Sequence, residues 1–410
     1  MKQKCDIINS LLYHHIPIEY QHHLKFLWHR DRVLQFLQGK GNEIHPVTAE
    51  IIPSLECNYG CKHCTYASWK ERTITSRGNR LMTLDAMYQV IERLYGFGVR
   101  GVTFTGGGEP FFNRSTQEGI RFANEIGLEV GVFTNGSLLT PDSIEMVVSN
   151  SRFMRISLNA ITEATYLEFH NITNPHLLKK VKENIAYLSG SVRDSPIKFG
   201  AGVIVNELNK DDLENIAIFI SETISRTGGR IDYVGIRPVI NYKDRGSQIS
   251  PGVTEAVRRA KPRVDEILEE AGSKAFWALD YFEDAVSTEM SGTKQYARCL
   301  ANPWAISVAY DGGIYLCSEH DGDPNFFLGN ILTQSMDEIW ESERRKSVIE
   351  SIGDCTAPTC KLHRLNKILN DWDEQGFGGN TALTEPQLKD ATETLERITS
   401  KGEPGGKNHL

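Results

Sequence analysis

The chain has 410 residues with 40% apolar and 24% charged side chains, an ordinary globular balance with room for two or three domains at about 150 residues each. A net charge of −8 provides no basic surface, so nucleic acid is not an expected partner. No apolar run reaches the ~18 residues of a membrane span, and Met1–Cys5 is not followed by the apolar run and cleavage site of a signal peptide; a cytoplasmic protein with no membrane partner is expected, whose eight cysteines read as metal ligands or free thiols rather than disulfides.

Residues 1–45 read as an N-terminal helical segment, with Tyr20, Leu24, Leu27, Leu34 and Leu37 near helical spacing and Gly39 and Gly41 closing it. Its His14, His15, His22, His23 and His29 could hold a metal, though paired histidines on a mixed helix are more often solvated or core-edge residues. Residues 46–245 alternate. Strand-like runs fall at 49–55, 101–105, 129–134, 153–158, 198–205 and 231–236, with helical patterns near 83–97, 115–126, 141–149, 175–189 and 209–226. Thr140-Pro141 offers an N-cap with proline at the first helical position. Near-continuous apolar strands joined by helices predict a parallel sheet covered on both faces. Six such units predict an α/β fold, an open, partial (β/α)6 TIM-like barrel, with its site at the C-terminal ends of the strands.

Residues 246–295 lose the strand alternation and read as a helical connector, with a charged helix near 254–270. Residues 296–365 return to strand character as a small β-hairpin plus helix domain. Runs at 305–310 and 314–317 flank Asp311-Gly312-Gly313, a hairpin signal, and a helix is expected over 336–349. Leu328-Gly329-Asn330 reads as a turn that positions the hairpin, and Trp340 as core. Residues 366–410 form a tail with one charged helix near 384–400; its last residues, after Gly402, are expected to be disordered.

The most informative loop is Glu56-Cys57-Asn58-Tyr59-Gly60-Cys61-Lys62-His63-Cys64, directly after the first strand. Three thiolates on one tight loop can hold three irons of a 4Fe–4S cube and leave the fourth open to a small molecule. A structural zinc site with His63 as fourth ligand is the alternative. After the second strand comes Thr105-Gly106-Gly107-Gly108-Glu109-Pro110. Glycines there let the backbone approach a ligand, and Glu109 can fix a positive group.

Cys-x3-Cys-x2-Cys followed by Gly-Gly-Glu-Pro after the next strand resembles the radical S-adenosylmethionine (radical SAM) superfamily over about residues 46–245. The resemblance implies that Cys57, Cys61 and Cys64 hold a 4Fe–4S cluster with one open iron. That iron is chelated by S-adenosylmethionine, whose reductive cleavage gives a 5′-deoxyadenosyl radical that abstracts a substrate hydrogen. It puts His63 where an aromatic ring usually lies beside adenine. Gly107, Gly108 and Glu109 match the segment that receives the methionine amino group. Asn135, Ser157 and Asn159, at the ends of the third and fourth strands, match polar positions used for the ribose and carboxylate. Val203 and Val205 would flank the adenine. An external electron donor such as flavodoxin or ferredoxin is implied.

A second group, Cys299, Cys317, Cys355 and Cys360, suits either a complete 4Fe–4S cluster or a structural zinc by spacing alone. Gly313-x3-Cys317, Leu328-Gly329-Asn330-Ile331 and Met336-Asp337-Glu338-Ile339-Trp340 resemble the SPASM and twitch extensions of radical SAM enzymes. That resemblance implies one auxiliary 4Fe–4S cluster, with a role in one-electron transfer. Tyr66, Trp69, Arg72, Asn206 and Arg237, at strand ends and in rim loops, are the expected substrate contacts. Arg237 could hold a carboxylate or phosphate. The expected activity is that of a radical SAM oxidoreductase that dehydrogenates or epimerises a small polar metabolite such as a sugar, aminocyclitol or nucleotide derivative. Maturation of a short ribosomal peptide is the second reading, and a non-catalytic zinc-binding protein the third.

Overall fold

The computed structural model describes residues 22–66, 80–239, 250–277, 298–352, 362–376, 378 and 382–400. Cys5, His14, His15, Tyr20, Trp69, Arg72, Cys355 and Cys360 lie outside them, as do residues 401–410.

Seven strands run parallel, each paired with the next in chain order: β1 (Thr48–Ile51), β2 (Gly101–Phe104), β3 (Glu129–Thr134), β4 (Phe153–Ser157), β5 (Lys198–Val205), β6 (Tyr233–Pro238) and β7 (Ala275–Trp277). Helices α2 (Leu84–Gly96), α3 (Ser115–Glu125), α4 (Pro141–Asn150), α6 (His176–Ser191), α7 (Leu213–Thr227) and α8 (Pro251–Glu270) make the crossovers, and α5 (Glu163–His170) is added after β4. Their apolar faces close on the outer face of the sheet: Ala49, Ile51, Val102, Phe104, Val130, Val132, Met154 and Ile156 share one buried core with Val90, Ile120, Ile144, Val181 and Ile216. The start of α4 is as expected. Thr140 accepts from the Ser143 N–H at 3.3 Å, Ser143 Oγ accepts from the Thr140 N–H at 2.8 Å, and Pro141 follows the cap. Such caps contribute about 1 kcal/mol.

Four expectations change. The connector carries a seventh strand, β7, which extends the parallel sheet beyond β6. The C-terminal hairpin is not a separate sheet: β8 (Ala305–Val308) pairs parallel with β1, Ala49 opposite Ile306, and β9 (Gly313–Tyr315) and β10 (Phe327–Asn330) follow antiparallel. The result is one open sheet in the order β10-β9-β8-β1-β2-β3-β4-β5-β6-β7. The run Leu328–Asn330, read as a turn, is the edge strand β10, and the register shift beside Leu328 accounts for its turn-like sequence. The helix expected over 336–349 divides at Ser342, whose extended backbone and side chain cap α10 (Glu343–Ser351) directly after α9 (Met336–Glu341).

The described N-terminal and C-terminal helices pack together. The helix α1 (Arg30–Leu37) and the 3-10 turn His22–Trp28 pack with α11 (His363–Glu374) and α12 (Glu385–Thr399) into a second core built on Phe26, Phe36, Trp304, Trp372 and Leu395. Val47 and Trp304, which precede β1 and β8, belong to it. This core therefore lies at the N-terminal ends of those strands, and the described part of the tail does not cover the opposite rim. Among the described residues no helix is long and apolar enough to cross a membrane.

Candidate active site

The loop after β1 carries Cys57, Cys61 and Cys64, and the loop after β2 carries the glycines. Backbone bonds weld the two: the Gly108 N–H donates to Ser54 O at 2.8 Å and the Glu109 N–H to Glu56 O at 2.8 Å. A Cβ on Gly108 would stand 2.0 Å from Glu56 O, so only glycine permits this approach. From the other side, Arg80 Nε donates to the Glu56 carboxylate at 2.6 Å and the Leu55 N–H to Arg80 O.

Glu109 lies buried under this weld. Its carboxylate accepts from Thr134 Oγ1 at 2.5 Å, the Asn135 N–H at 2.7 Å and the Phe111 N–H at 3.2 Å. Burial pushes its carboxyl up to about 7, against the pull of those three donors. Both oxygens are thus committed to protein donors. The residue expected to meet a ligand's ammonium clamps the glycine loop to the end of β3.

Asn135 is committed in the same way. Its Oδ1 accepts from the N–H and the hydroxyl of Ser137, and its Nδ2 donates to Asn58 Oδ1 at 2.9 Å; Asn58 Nδ2 in turn donates to Ser137 Oγ at 2.8 Å. Asn58 stands between the first two cysteines, so this ring of amides ties the cysteine loop to the third strand. Asn159 Oδ1 accepts from the Ile204 N–H at 2.9 Å, which ties β4 to β5. Ser157 differs: it is half-buried at the end of β4 with no side-chain partner among the described residues. Val203 and Val205 are buried on the outer, helix-packed face of β5, away from the lumen. Core packing accounts for them, and Ile204 is their lumen-side neighbour.

Helix α5, which sequence reasoning missed, closes the cysteine loop from outside. Asp212 fixes its start by accepting from Ile161 N, Thr162 N and Thr162 Oγ1. Its last residue, His170, puts Nδ1 3.2 Å from Cys61 Sγ, and its carbonyl accepts from the Gly60 N–H. Tyr59 and Tyr166, bonded through their hydroxyls at 2.7 Å, enclose the imidazole. Burial, with the neighbouring His63, lowers His170 to about 3, so its ring is neutral at pH 7. His63 packs its ring 4.2 Å from Phe169 and is lowered to about 4, first by burial and then by the charge of Arg237.

Cys57, Cys61 and Cys64 are all half-buried on the one loop after β1. Cys57 Sγ accepts from the Tyr59 N–H at 3.4 Å and Cys61 Sγ meets His170, the kind of sulfur hydrogen bonding that iron–sulfur clusters use. Among the described residues no three His, Cys, Asp or Glu side chains converge on one point, as a single ion would need; cube corners need no such convergence. Cys299 and Cys317 are both half-buried, Cys317 directly after β9 and Cys299 ahead of β8.

Of the expected substrate contacts, Tyr66 is turned elsewhere. Its hydroxyl donates to Asp321 at 3.3 Å, and its ring packs with Ile52, Leu55, Ala309, Tyr310 and Tyr315, joining the cysteine loop to the C-terminal hairpin. Asn206 Oδ1 accepts from the Leu208 N–H and its own N–H donates to Asn209 Oδ1, a turn after β5. Arg237 is exposed on β6.

Residues 51–220 match the model for the Radical SAM superfamily, and residues 299–362 match SPASM, an iron–sulfur cluster-binding domain. The chain is 24% identical over 178 residues to an S-adenosylmethionine-dependent nucleotide dehydratase from Psychrobacter lutiphocae, covering 41% of this chain and 58% of that one. It is 24% identical over 364 residues to dTDP-4-amino-4,6-dideoxy-D-glucose ammonia-lyase from Streptomyces venezuelae, covering 82% and 73%. In fold it is similar to SuiB from Streptococcus suis bound to S-adenosylmethionine, with a TM-score of 0.58 at 14% identity, over 87% of this chain and 80% of that one.

Proposed function

The chain belongs to the radical SAM superfamily and carries a SPASM domain, and from that premise we propose that bound S-adenosylmethionine, reduced by a 4Fe–4S cluster, supplies a 5′-deoxyadenosyl radical that takes a hydrogen atom from a C–H bond of a small polar metabolite. Cys57, Cys61 and Cys64 would hold three irons of that cluster. The backbone of Gly107 and Gly108 would receive the methionine amino group, with His63 beside the adenine. Ser157 ends β4 with a hydroxyl that has no partner among the described residues, and it is assigned to the cofactor. Glu109, Asn135 and Asn159 position these groups and are not assigned direct contacts. Cys299 and Cys317, with Cys355 and Cys360, would hold the auxiliary cluster.

The observation that carries the reading is the weld at Gly108 and Glu109, which holds an open cysteine loop and a side-chain-free loop as one rigid rim. Preorganisation of this kind fixes a reactive group beside its target. The names of the two relatives, a nucleotide dehydratase and a nucleotide-sugar ammonia-lyase, support a small-molecule substrate. Dehydrogenation or epimerisation is the proposed outcome; elimination, which those names describe, is the outcome to test it against.

Anaerobic reconstitution with iron and sulfide is the test. The expected result is about eight irons per chain, as two cubane clusters, and 5′-deoxyadenosine formed from S-adenosylmethionine under reducing conditions. Cys61→Ala should abolish that cleavage. Tight zinc binding without cleavage in the unaltered protein would remove the enzyme reading.

A further inference from the structure

The lumen of the sheet is built in layers. Alternate residues of a strand share a face. Arg155 on β4 is in register with Gly200 on β5 and Tyr233 on β6; one layer nearer the rim stand Ser157, Gly202, Gly235 and Phe276 of β7. Arg237 is next on β6. The lower layers are filled by rings that occupy the space of missing side chains. A Cβ on Gly131 would lie 2.2 Å from the Phe153 ring, and one on Gly200 would lie 2.5 Å from the Tyr233 ring. Phe133 and Phe153 are 5.5 Å apart, and Tyr233 and Phe276 are 5.9 Å apart. The Arg155 guanidinium lies on this floor, 3.7 Å over the Phe133 ring, and its stem passes 3.0 Å from the Cβ position of Gly202.

Above the floor the wall is bare. A Cβ on Gly235 would meet nothing nearer than Ala201 O at 3.9 Å. Glycine within a strand costs about 0.5–1 kcal/mol, and packing does not demand it here. Such glycines often mark the approach of a ligand. Register puts two arginines on the face of the sheet that carries this gap, Arg155 on β4 one layer below Gly235 and Arg237 on β6 two residues beyond it. Neither has a hydrogen bond or ion pair among the described residues. Burial lowers the Arg155 guanidinium from its ordinary value, with Tyr233 pulling the other way and the charges of Arg237 and Glu50 acting in opposite senses after it.

We propose that this gap is an oxyanion site, in which Arg155 and Arg237 hold a phosphoryl group of the substrate. The identification of its occupant as substrate rests on the function proposed above. A phosphoryl group carries a charge of about −1.5 to −2 and three acceptor oxygens, a match for two guanidinium forks. The carboxylate of S-adenosylmethionine is also an oxyanion, and the experiment separates the two sources.

The test uses the full chain, reconstituted anaerobically, with calorimetric titration of inorganic pyrophosphate and, separately, of S-adenosylmethionine. In Arg155→Gln, in Arg237→Gln and in Gly235→Val, pyrophosphate affinity should fall about tenfold or more, the usual scale for a lost charge-assisted bond. Affinity for S-adenosylmethionine should stay within about threefold, as expected if no direct contact is lost. Arg155→Lys keeps the charge and should recover part of the binding, which separates a lost contact from a lost fold. The proposal is overturned if the unaltered protein does not bind pyrophosphate, if the variants bind it equally well, or if S-adenosylmethionine affinity falls with or in place of it. Pyrophosphate binding by a protein that leaves S-adenosylmethionine intact would sink the radical reading and leave the oxyanion site standing.

Discussion

Glu109 shows how far a residue's role depends on what surrounds it. In sequence it is a carboxylate in a glycine loop, well placed to meet an ammonium. In the fold, Thr134, Asn135 and Phe111 occupy its oxygens, and burial raises its carboxyl from 4.5 to about 7. A carboxyl raised on folding favours the folded state while protonated. That contribution is present below about pH 4.5 and is lost as pH climbs through about 7. Glu109→Gln has no proton to lose. Between pH 4.5 and pH 8 the unaltered protein should therefore lose stability relative to the variant, on the order of 2–3 kcal/mol. Urea unfolding of both proteins across that range measures it, and parallel pH profiles would contradict a Glu109 carboxyl raised by burial.

At the scale of elements, the site is a junction of loops, and Gly108 is its tightest point. Gly108→Ala would drive a methyl to 2.0 Å from Glu56 O, a contact that only backbone movement can relieve. The displaced segment leads directly into Cys57. Cys299 and Cys317 flank β8 and β9, and among the described residues no hydrogen bond joins Gly108 or Glu56 to them, so the variant should keep its second cluster. Loading should fall from about eight irons to about four per chain, read from iron and sulfide content. Full loading would mean that the weld does not shape the cysteine loop. Much of this rim was legible in the sequence, because motifs after strands report loop positions and near-continuous apolar runs alternating with helical patterns place β1 to β6. What escaped was non-local or short. β7 has three residues, too few for a pattern, and follows a charged helix. α5 places Tyr166, Phe169 and His170 against the cysteine loop with no separate apolar face to announce it. The amide ring of Asn58, Asn135 and Ser137 joins residues from different loops, and nothing in either loop's sequence points to the other. Arg155 was invisible for the same reason: only register shows that Gly200, Gly202 and Gly235 clear the lumen beside it.

For the whole molecule, the consequence that sequence hid most completely is the packing of the described N-terminal and C-terminal helices against each other at the face opposite the rim. Trp372, with 2% of its surface exposed, packs 5.7 Å from Phe26 and 6.3 Å from Phe36, and Phe26 in turn meets Trp304 edge-on at 5.6 Å. Trp304 precedes β8 and Val47 precedes β1, so this second core fastens the C-terminal strands to the barrel from below. The cysteine and glycine loops leave the same strands at their other ends, with the sheet between. Removing the Trp372 ring should therefore separate stability from site geometry. Trp372→Ala should lower unfolding stability by about 3–5 kcal/mol, the usual cost of emptying a buried aromatic position, while the folded fraction keeps full iron loading and unchanged affinity for S-adenosylmethionine. Denaturant titration and iron analysis of the same preparation decide it. If iron loading dropped while stability held, the terminal helices would have to act on the rim directly, and the separation of a structural floor from a chemical rim would be wrong.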